Sequence, residues 1–127
     1  MFTKRAMLAG ASALLATPQI SRAQGTWPNG PIRIVVPFPP GGSTDALARL
    51  LQPYLQADLG VSIIVENRGG ASGSLGTAQV ARAAPDGNTW LIVFDTHAVN
   101  PSLIPNMGFD TERDLTSLLL FGTAPMV

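Results

Sequence analysis

The sequence predicts an α/β fold in which helices cover both faces of a parallel sheet, a three-layer arrangement. One observation is the order of the patterns along residues 32–94, which run strand, helix, strand, helix and strand. A second is that the first predicted strand is almost continuously apolar and β-branched, which is typical of a strand buried on both faces. Parallel neighbours need crossover helices, so both observations lead to the same fold class.

The first strand and the first helix have the strongest patterns. Residues 32–36 read "IRIVV", and prolines follow them, which ends a strand because proline cannot donate to a sheet. Over residues 45–59, leucines recur at helical spacing and form one apolar stripe. Gly60 comes next, at a position where glycine commonly ends a helix.

The later elements continue the alternation. They are a strand over residues 61–65, a helix over 75–81, a turn at 85–87, a strand over 89–94, a loop over 95–106 and a helical turn over 110–114. The turn has a mechanism, since Pro85 presets φ and Gly87 supplies a positive φ. The second helix consists largely of small residues, which would let it lie close to the sheet.

Length and composition restrict the class of protein. The chain has 127 residues, enough for one domain, and its formal net charge is zero. No basic surplus indicates nucleic acid, and the absence of cysteine excludes disulfides, thiolate metal sites and cysteine nucleophiles. His97 is the sole histidine of the sequence, so a histidine-rich metal site is excluded. We expect no metal and no cofactor.

The first 23 residues have the pattern of an export signal. Lys4 and Arg5 precede an apolar run over residues 6–16, and small residues lead up to Ala23. The run of about 11 residues is short of the ~20 that cross a bilayer. We therefore predict a signal peptide over residues 1–23, cleaved near Ala23; the alternative is an amphipathic helix that stays on the protein.

Two glycine-rich loops each lead from a predicted strand into a predicted helix. In a parallel sheet such loops lie at the carboxyl ends of the strands, where ligands bind. A helix N-terminus offers backbone N–H groups and partial positive charge, which favour an anion such as a carboxylate or phosphate. The residues concerned are Gly41, Gly42, Ser43, Thr44, Gly69, Gly70, Ser72, Gly73 and Ser74. The alternative is that Ser43 or Thr44 only caps a helix and the glycines only make turns.

Enzymatic alternatives have weaker patterns. The first loop has no lysine after its glycines, so it is not a Walker phosphate loop. "GASGS" over residues 70–74 lacks the final glycine of a nucleophile elbow. A hydrolase triad could be assembled only on paper from Ser72, His97 and Asp95. We expect no enzymatic activity.

The motifs, in this order, resemble those of the Bug (TctC-like) family of periplasmic solute-binding proteins, which are associated with tripartite tricarboxylate transporters. The motifs are "PFPPGGSTD" at residues 37–45, "VENR" at 65–68, "APDG" at 84–87 and "THAVNP" at 96–101. The resemblance extends from about Trp27 to the last residue. It implies a receptor in the periplasm that delivers its ligand to membrane transporter subunits.

The resemblance also implies a fold and a site. The fold is the type II periplasmic binding protein, or Venus flytrap, in which two lobes close on a small ligand, and family ligands are mostly carboxylates. The two glycine-rich loops would grip one carboxylate through Pro40, Gly41, Gly42, Ser43, Thr44, Asp45, Gly70, Ala71, Ser72 and Gly73. Thr96, His97 and Asn100 would lie beside the cleft. We expect such a receptor to be a monomer.

Two residues depart from the family pattern. Gly69 stands where many relatives have proline, which should loosen the second loop. Asp95 places a carboxylate where many relatives have a small neutral residue. We therefore expect Asp95 either to point away from the ligand or to favour a ligand with a positive group.

The length also departs from the family. We expect residues 24–127 to form the N-terminal part of the first lobe, incomplete, with the second lobe absent. An alternative reading is a truncated, non-functional remnant.

Overall fold

The structure is a computed structural model that describes residues 26–123, so the predicted signal peptide over residues 1–23 lies outside the described residues. Strands and helices alternate along the chain. They are β1 (Ile32–Val36), α1 (Ser43–Leu59), β2 (Ile63–Asn67), α2 (Ser74–Ala81), β3 (Thr89–Leu91) and α3 (Thr96–Leu103). A 3-10 turn, Ala71–Gly73, directly precedes α2.

The strands form one parallel sheet in the order β2-β1-β3. The central strand is β1, whose Ile34 lies opposite Val65 of β2 and Trp90 of β3. Strands β2 and β3 therefore lie on opposite sides of β1, so the two right-handed crossovers pass over opposite faces of the sheet. The predicted parallel sheet is confirmed.

The two faces of the sheet bury different side chains. Ile34 and Val36 pack in one cluster with Ala48 of α1. Side chains alternate along a strand, so Val35, which is fully buried outside that cluster, faces the other side. There α2 packs on β1 and β3, whereas α1 packs on β1 and β2. The predicted arrangement of three layers is therefore confirmed.

Close packing explains one glycine in α2. A Cβ at Gly76 would lie 2.6 Å from the carbonyl oxygen of Arg68 and 2.8 Å from Cβ of Pro37. Both neighbours belong to the chain just beyond a strand, so neither can move without moving the sheet. The small residue lets the start of α2 approach the carboxyl ends of β1 and β2.

The prediction of a loop over residues 95–106 is wrong, because residues 96–103 form α3. The third strand is also shorter than predicted and ends at Leu91, although the amide of Ile92 still donates to the carbonyl of Val35. The helical turn over residues 110–114 is confirmed by the hydrogen bond from the amide of Asp114 to the carbonyl of Asp110.

The apolar segment near the end of the described chain lies outside the core. Leu118, Leu119 and Leu120 are exposed to 74%, 71% and 76%. Of the helices within residues 26–123, none combines the length and the apolar character needed to cross a bilayer.

Candidate functional site

Three loops leave the carboxyl ends of the strands and form the candidate site. The first loop (residues 37–42) joins β1 to α1, and the second loop (residues 68–73) joins β2 to α2. The third loop (residues 92–95) joins β3 to α3. Because all strands are parallel, the loops emerge at one edge of the sheet, as predicted.

The loops also contact one another. The rings of Phe38 in the first loop and Phe94 in the third have centroids 5.2 Å apart. A Cβ at Gly69 in the second loop would lie 3.5 Å from Cδ of Pro39 in the first. A Cβ at Gly73 would lie only 3.2 Å from the ring of Phe38. The first loop is thus packed between the other two.

The N-terminus of α1 has no side-chain cap. Its N-cap is Gly42, with φ −77° and ψ 171°, and Ser43 and Thr44 are the first helical residues. The reading that Ser43 or Thr44 caps the helix is therefore wrong. The side-chain oxygen of Thr44 is buried and, within residues 26–123, has no hydrogen-bond partner. First-turn amides have no intrahelical acceptor, so this terminus keeps donors for an anion.

Asp45 anchors the first loop to the start of the helix. Its Oδ2 accepts a hydrogen bond from the amide of Gly41 at 2.9 Å, and Arg49 donates to both carboxylate oxygens at 3.0 Å. Asn67, at the end of β2, donates to Oδ1 at 3.0 Å and to the carbonyl of Phe38 at 3.2 Å. Asp45, Asn67 and Arg49 thus form a clasp that joins the first loop to β2.

The clasp also fixes the charge of Asp45. The hydrogen bonds from Arg49, Gly41 and Asn67 lower its pKa to about 2. Asp45 is therefore an anion at neutral pH, with Arg49 as its counter-charge. Its amide partner Gly41 is already engaged, whereas the amides of Gly42, Ser43 and Thr44 at the start of the helix remain available as donors.

Acid should loosen this clasp. The pKa of Asp45 is lower in the fold than its usual 3.8, so its ionisation stabilises the fold above that value and the stabilisation is lost as pH falls towards about 2. We expect the urea midpoint to fall over this window and the fall to be shallower in Asp45→Asn. Asp114, whose pKa Arg113 lowers to about 2, titrates in the same window and gives the matched variant Asp114→Asn. An equal acid response in wild type and Asp45→Asn would contradict the prediction.

The second loop holds a strained turn. Ala71 and Ser72 have φ of 47° and 53°, in the left-handed region that residues other than glycine seldom adopt. The amide of Gly73 donates to the carbonyl of Gly70 at 3.0 Å, and that of Ser74 donates to the carbonyl of Ala71. The amides of Gly73 and Ser74 are thus used inside the turn. The amides at its start, on Ala71 and Ser72, are the donors that the second loop can offer.

The start of α3 lies against the second loop. Asp95 is the N-cap of α3, and its Oδ1 accepts a hydrogen bond from the amide of Thr96 at 2.8 Å. Asn100 is buried, and its side-chain amide donates to the carbonyl of Ser72 at 2.9 Å. His97 is partly buried, which lowers its pKa and favours the neutral ring. Asp95 thus has a backbone partner in its own helix, and Asn100 has one in the second loop.

A hydrolase triad of Ser72, His97 and Asp95 would need hydrogen bonds between these side chains. Among the hydrogen bonds of residues 26–123, none joins His97 to the side chains of Ser72 or Asp95. A nucleophile and its base need such a contact or one close to it. In the same part of the chain, no group of three His, Asp or Glu residues could hold a metal ion.

Surface depressions on α1 are poorer candidates than the loops. One of about 410 Å³ is lined by Gln52, Pro53 and Gln56, and one of about 510 Å³ by residues that include Tyr54 and Asp58. Both are open to solvent and lie along the middle of a helix, where backbone amides are already hydrogen-bonded. Compared with these depressions, the loops have the advantage that they combine backbone donors with helix N-termini.

The sequence interpretation missed two residues of the site. Asn67 lies in the "VENR" motif but was not among the predicted site residues, although it ends a strand at the edge where ligands bind. Arg49 follows Asp45 by four residues, the spacing of a helical ion pair. That spacing, and the position of Asn67, were the available signals. Neither signal predicts that Arg49 and Asn67 both donate to the carboxylate of Asp45.

Comparison with known proteins identifies the family. The model of the tripartite tricarboxylate transporter family receptor, TctC, matches residues 47–127. The chain is 40% identical to protein BugT of Bordetella pertussis over 125 residues, which are 95% of this chain and 38% of BugT. The chain thus spans little more than a third of this relative.

Solved structures agree with the fold. The chain is similar to the periplasmic binding protein BugD, with 43% identity and a TM-score of 0.66 over 69% of this chain and 29% of BugD. It is also similar to MatC of Rhodopseudomonas palustris with bound malate, with 39% identity and a TM-score of 0.64 over 68% of this chain and 30% of MatC. The chain therefore belongs to the tripartite tricarboxylate transporter receptor family, the Bug (TctC-like) family that its motifs resemble.

Proposed function

We propose that the chain is part of an exported receptor that binds a small carboxylate and delivers it to a tripartite tricarboxylate-type transporter. One observation carries this proposal. Two loops at one edge of the sheet lead into helical turns whose N-caps, Gly42 and Gly70, bring no side-chain cap. Amides at both places can therefore donate to the same anion.

The chemistry favours a carboxylate held mainly by backbone. The amides of Ser43 and Thr44 in α1, and of Ala71 and Ser72 in the second loop, are the proposed donors. Glycine caps let a ligand approach the backbone closely, because they have no Cβ. The hydroxyl groups of Ser43 and Ser72, both on exposed residues, can add further donors. Such donors satisfy a carboxylate without a buried cation.

The remaining predicted contacts are divided by role. Pro40, Gly41 and Gly73 would shape the loops around the ligand, and Asp45 would hold the first loop in place. Thr96 and His97, in the first turn of α3, would lie beside the ligand. The bonding of Asp95 to its own helix supports the reading that it points away from the ligand.

The likeness to MatC, which has bound malate, supports a dicarboxylate as the first ligand to test. We propose that residues 24–127 form the N-terminal part of one lobe, and that the export signal is cleaved near Ala23. We further propose a periplasmic receptor, monomeric and without enzymatic activity. Turnover of a chromogenic ester that disappears in Ser72→Ala would contradict the last point.

Malate should bind this chain weakly. Three charge-assisted hydrogen bonds contribute roughly 5–9 kcal/mol, and association costs at least ~4 kcal/mol. The difference is at most about 5 kcal/mol, which corresponds to a Kd no tighter than about 0.2 mM. In an NMR titration of the ¹⁵N-labelled chain we expect malate to shift the amide signals of Ser43, Thr44, Ala71 and Ser72.

The diamide of malate is the matched control ligand, since it keeps the carbon skeleton and removes both charges. We expect it to leave those four amide signals in place at the same concentrations. Equal shifts with the diamide would contradict an anion site. No shift with malate, succinate, citrate or glutamate would favour the non-functional remnant.

A further inference from the structure

The strained turn of the second loop has an external support. Two consecutive residues, Ala71 and Ser72, have positive φ, and each would be easier to place there as glycine. Strained backbone of this kind persists only where neighbouring groups hold it. Two side chains of α2 donate to carbonyls of this turn, Ser74 to Ala71 at 2.8 Å and Thr77 to Gly73 at 2.9 Å. The carbonyl between them, that of Ser72, accepts from Asn100 of α3 at 2.9 Å.

The position of Asn100 makes this contact firm. The residue is only 6% exposed, although its side chain is polar, and it lies at the one buried position of α3. A buried amide without a partner is costly, so the bond to Ser72 is strongly preferred over no bond. Since the carbonyl of Ser72 belongs to the peptide that joins Ser72 to Gly73, the contact fixes the plane that follows the strained residues.

We infer that Asn100 is a positioning residue, which holds Ala71 and Ser72 in their positive-φ conformation and so aims the amides of the second loop at the ligand. This rests on the proposed function. Asn100 would act on the ligand through the loop, to which one of its two side-chain N–H groups donates. Helix α3 would thus act on the site through the second loop.

Replacing Asn100 should weaken malate binding by disordering the second loop. In Asn100→Ala we expect the slope of the amide shifts of Ala71 and Ser72 against malate concentration to fall roughly fivefold, the effect of about one hydrogen bond. The slopes at Ser43 and Thr44 should fall with them, because one ligand with one Kd contacts both loops. Ser102→Ala, an exposed change on the same helix, is the matched control and should leave all slopes within about twofold.

A readout without ligand tests the inference even if malate does not bind. The amide of Gly73 donates to Gly70 inside the strained turn, so its hydrogen exchange reports the order of the turn. We expect exchange of Gly73 to be faster by roughly fivefold in Asn100→Ala and unchanged in Ser102→Ala. Adding Ser72→Gly to Asn100→Ala should restore slow exchange, because glycine adopts positive φ without strain.

The outcomes separate the two proposals. Faster exchange that glycine reverses, with no malate response in the wild type, would support the positioning role and contradict the proposed function. Unchanged exchange would overturn the positioning role, whatever malate does. Faster exchange with an unchanged malate slope would overturn it as well, since Asn100 would then serve only stability. If Asn100→Ala does not fold, Asn100→Asp keeps the volume, removes the donor and takes its place.

Discussion

Ile34→Ala should destabilise the fold by about 2–5 kcal/mol, the range for a large buried aliphatic side chain reduced to alanine. Ile34 is 1% exposed at the centre of β1 and packs in one cluster with Val36, Ala48 and Ile63. The flanking strands fix its backbone on both sides, so the cavity cannot close by moving β1. Since small domains are stable by only about 5–15 kcal/mol, this one change should remove a large fraction of the total.

Urea unfolding followed by circular dichroism measures this effect. Leu50→Ala is the matched control, since Leu50 is 62% exposed on α1 and alanine favours a helix. We expect it to change the free energy of unfolding by no more than about 0.5 kcal/mol. Equal losses in the two variants would mean that the cluster around β1 is not the core of the fold.

The sheet could be predicted because its signals are local. The apolar run of β1 requires burial on both faces, and the stripe of α1 requires a sheet beneath it. Gly60 also behaves as its position predicts, since it ends α1 with φ 68° and donates to the carbonyl of Gln56. In each case neighbouring residues in the sequence show which face must be buried or where the helix must end. No contact between distant residues has to be known.

Helix α3 could not be predicted in this way. Its sequence contains threonine, histidine and asparagine, which favour helices weakly, and Pro101 removes an interior hydrogen bond. Two contacts stabilise it instead. Asp95 accepts from the first helical amide, and Asn100 bonds to a loop 28 residues earlier in the chain. A contact at that separation leaves no periodic pattern in the sequence.

The position of the candidate loops could be predicted, but their internal contacts could not. Glycine-rich segments after two strands predicted loops that emerge together at the carboxyl ends of the strands. Serine is preferred as an N-cap, yet Gly42 is the cap of α1, because Asp45 binds the amide of Gly41 and sets where the helix starts. Asp45 was predicted as a site residue. Its contacts with Gly41, Arg49 and Asn67, which form the clasp, became known only from the structure.

Exchanging the clasp residues should have the largest effect on binding. In Asp45→Asn and in Asn67→Asp, we expect the slope of the malate shifts at Ser43 and Thr44 to fall roughly tenfold. The first change turns one acceptor of Asp45 into a donor that faces Gly41 or Arg49. The second places two carboxylates side by side. Each change loosens the first loop. A loop that is already ordered before binding loses less conformational entropy when the ligand binds, so loosening it lowers the affinity.

Charge alone predicts a different pattern. Removing the negative charge of Asp45 should favour an anion nearby, and adding one at Asn67 should disfavour it, although water and salt screen both effects. If geometry dominates, both single variants weaken binding. If charge dominates, Asp45→Asn strengthens it. Asp114→Asn removes a carboxylate of the same pKa far from the loops in sequence and should leave the slope unchanged.

The double variant Asp45→Asn with Asn67→Asp decides between these accounts, because it restores the net charge and reverses the bond between the two side chains. The new amide at position 45 can accept from Gly41 and donate to the new carboxylate at position 67. Arg49 already lies 3.1 Å from the side-chain oxygen at that position. The bond from position 67 to the carbonyl of Phe38 is not restored. We therefore expect partial recovery, to within about threefold of wild type. Losses that simply add would mean that the two residues do not act as one clasp.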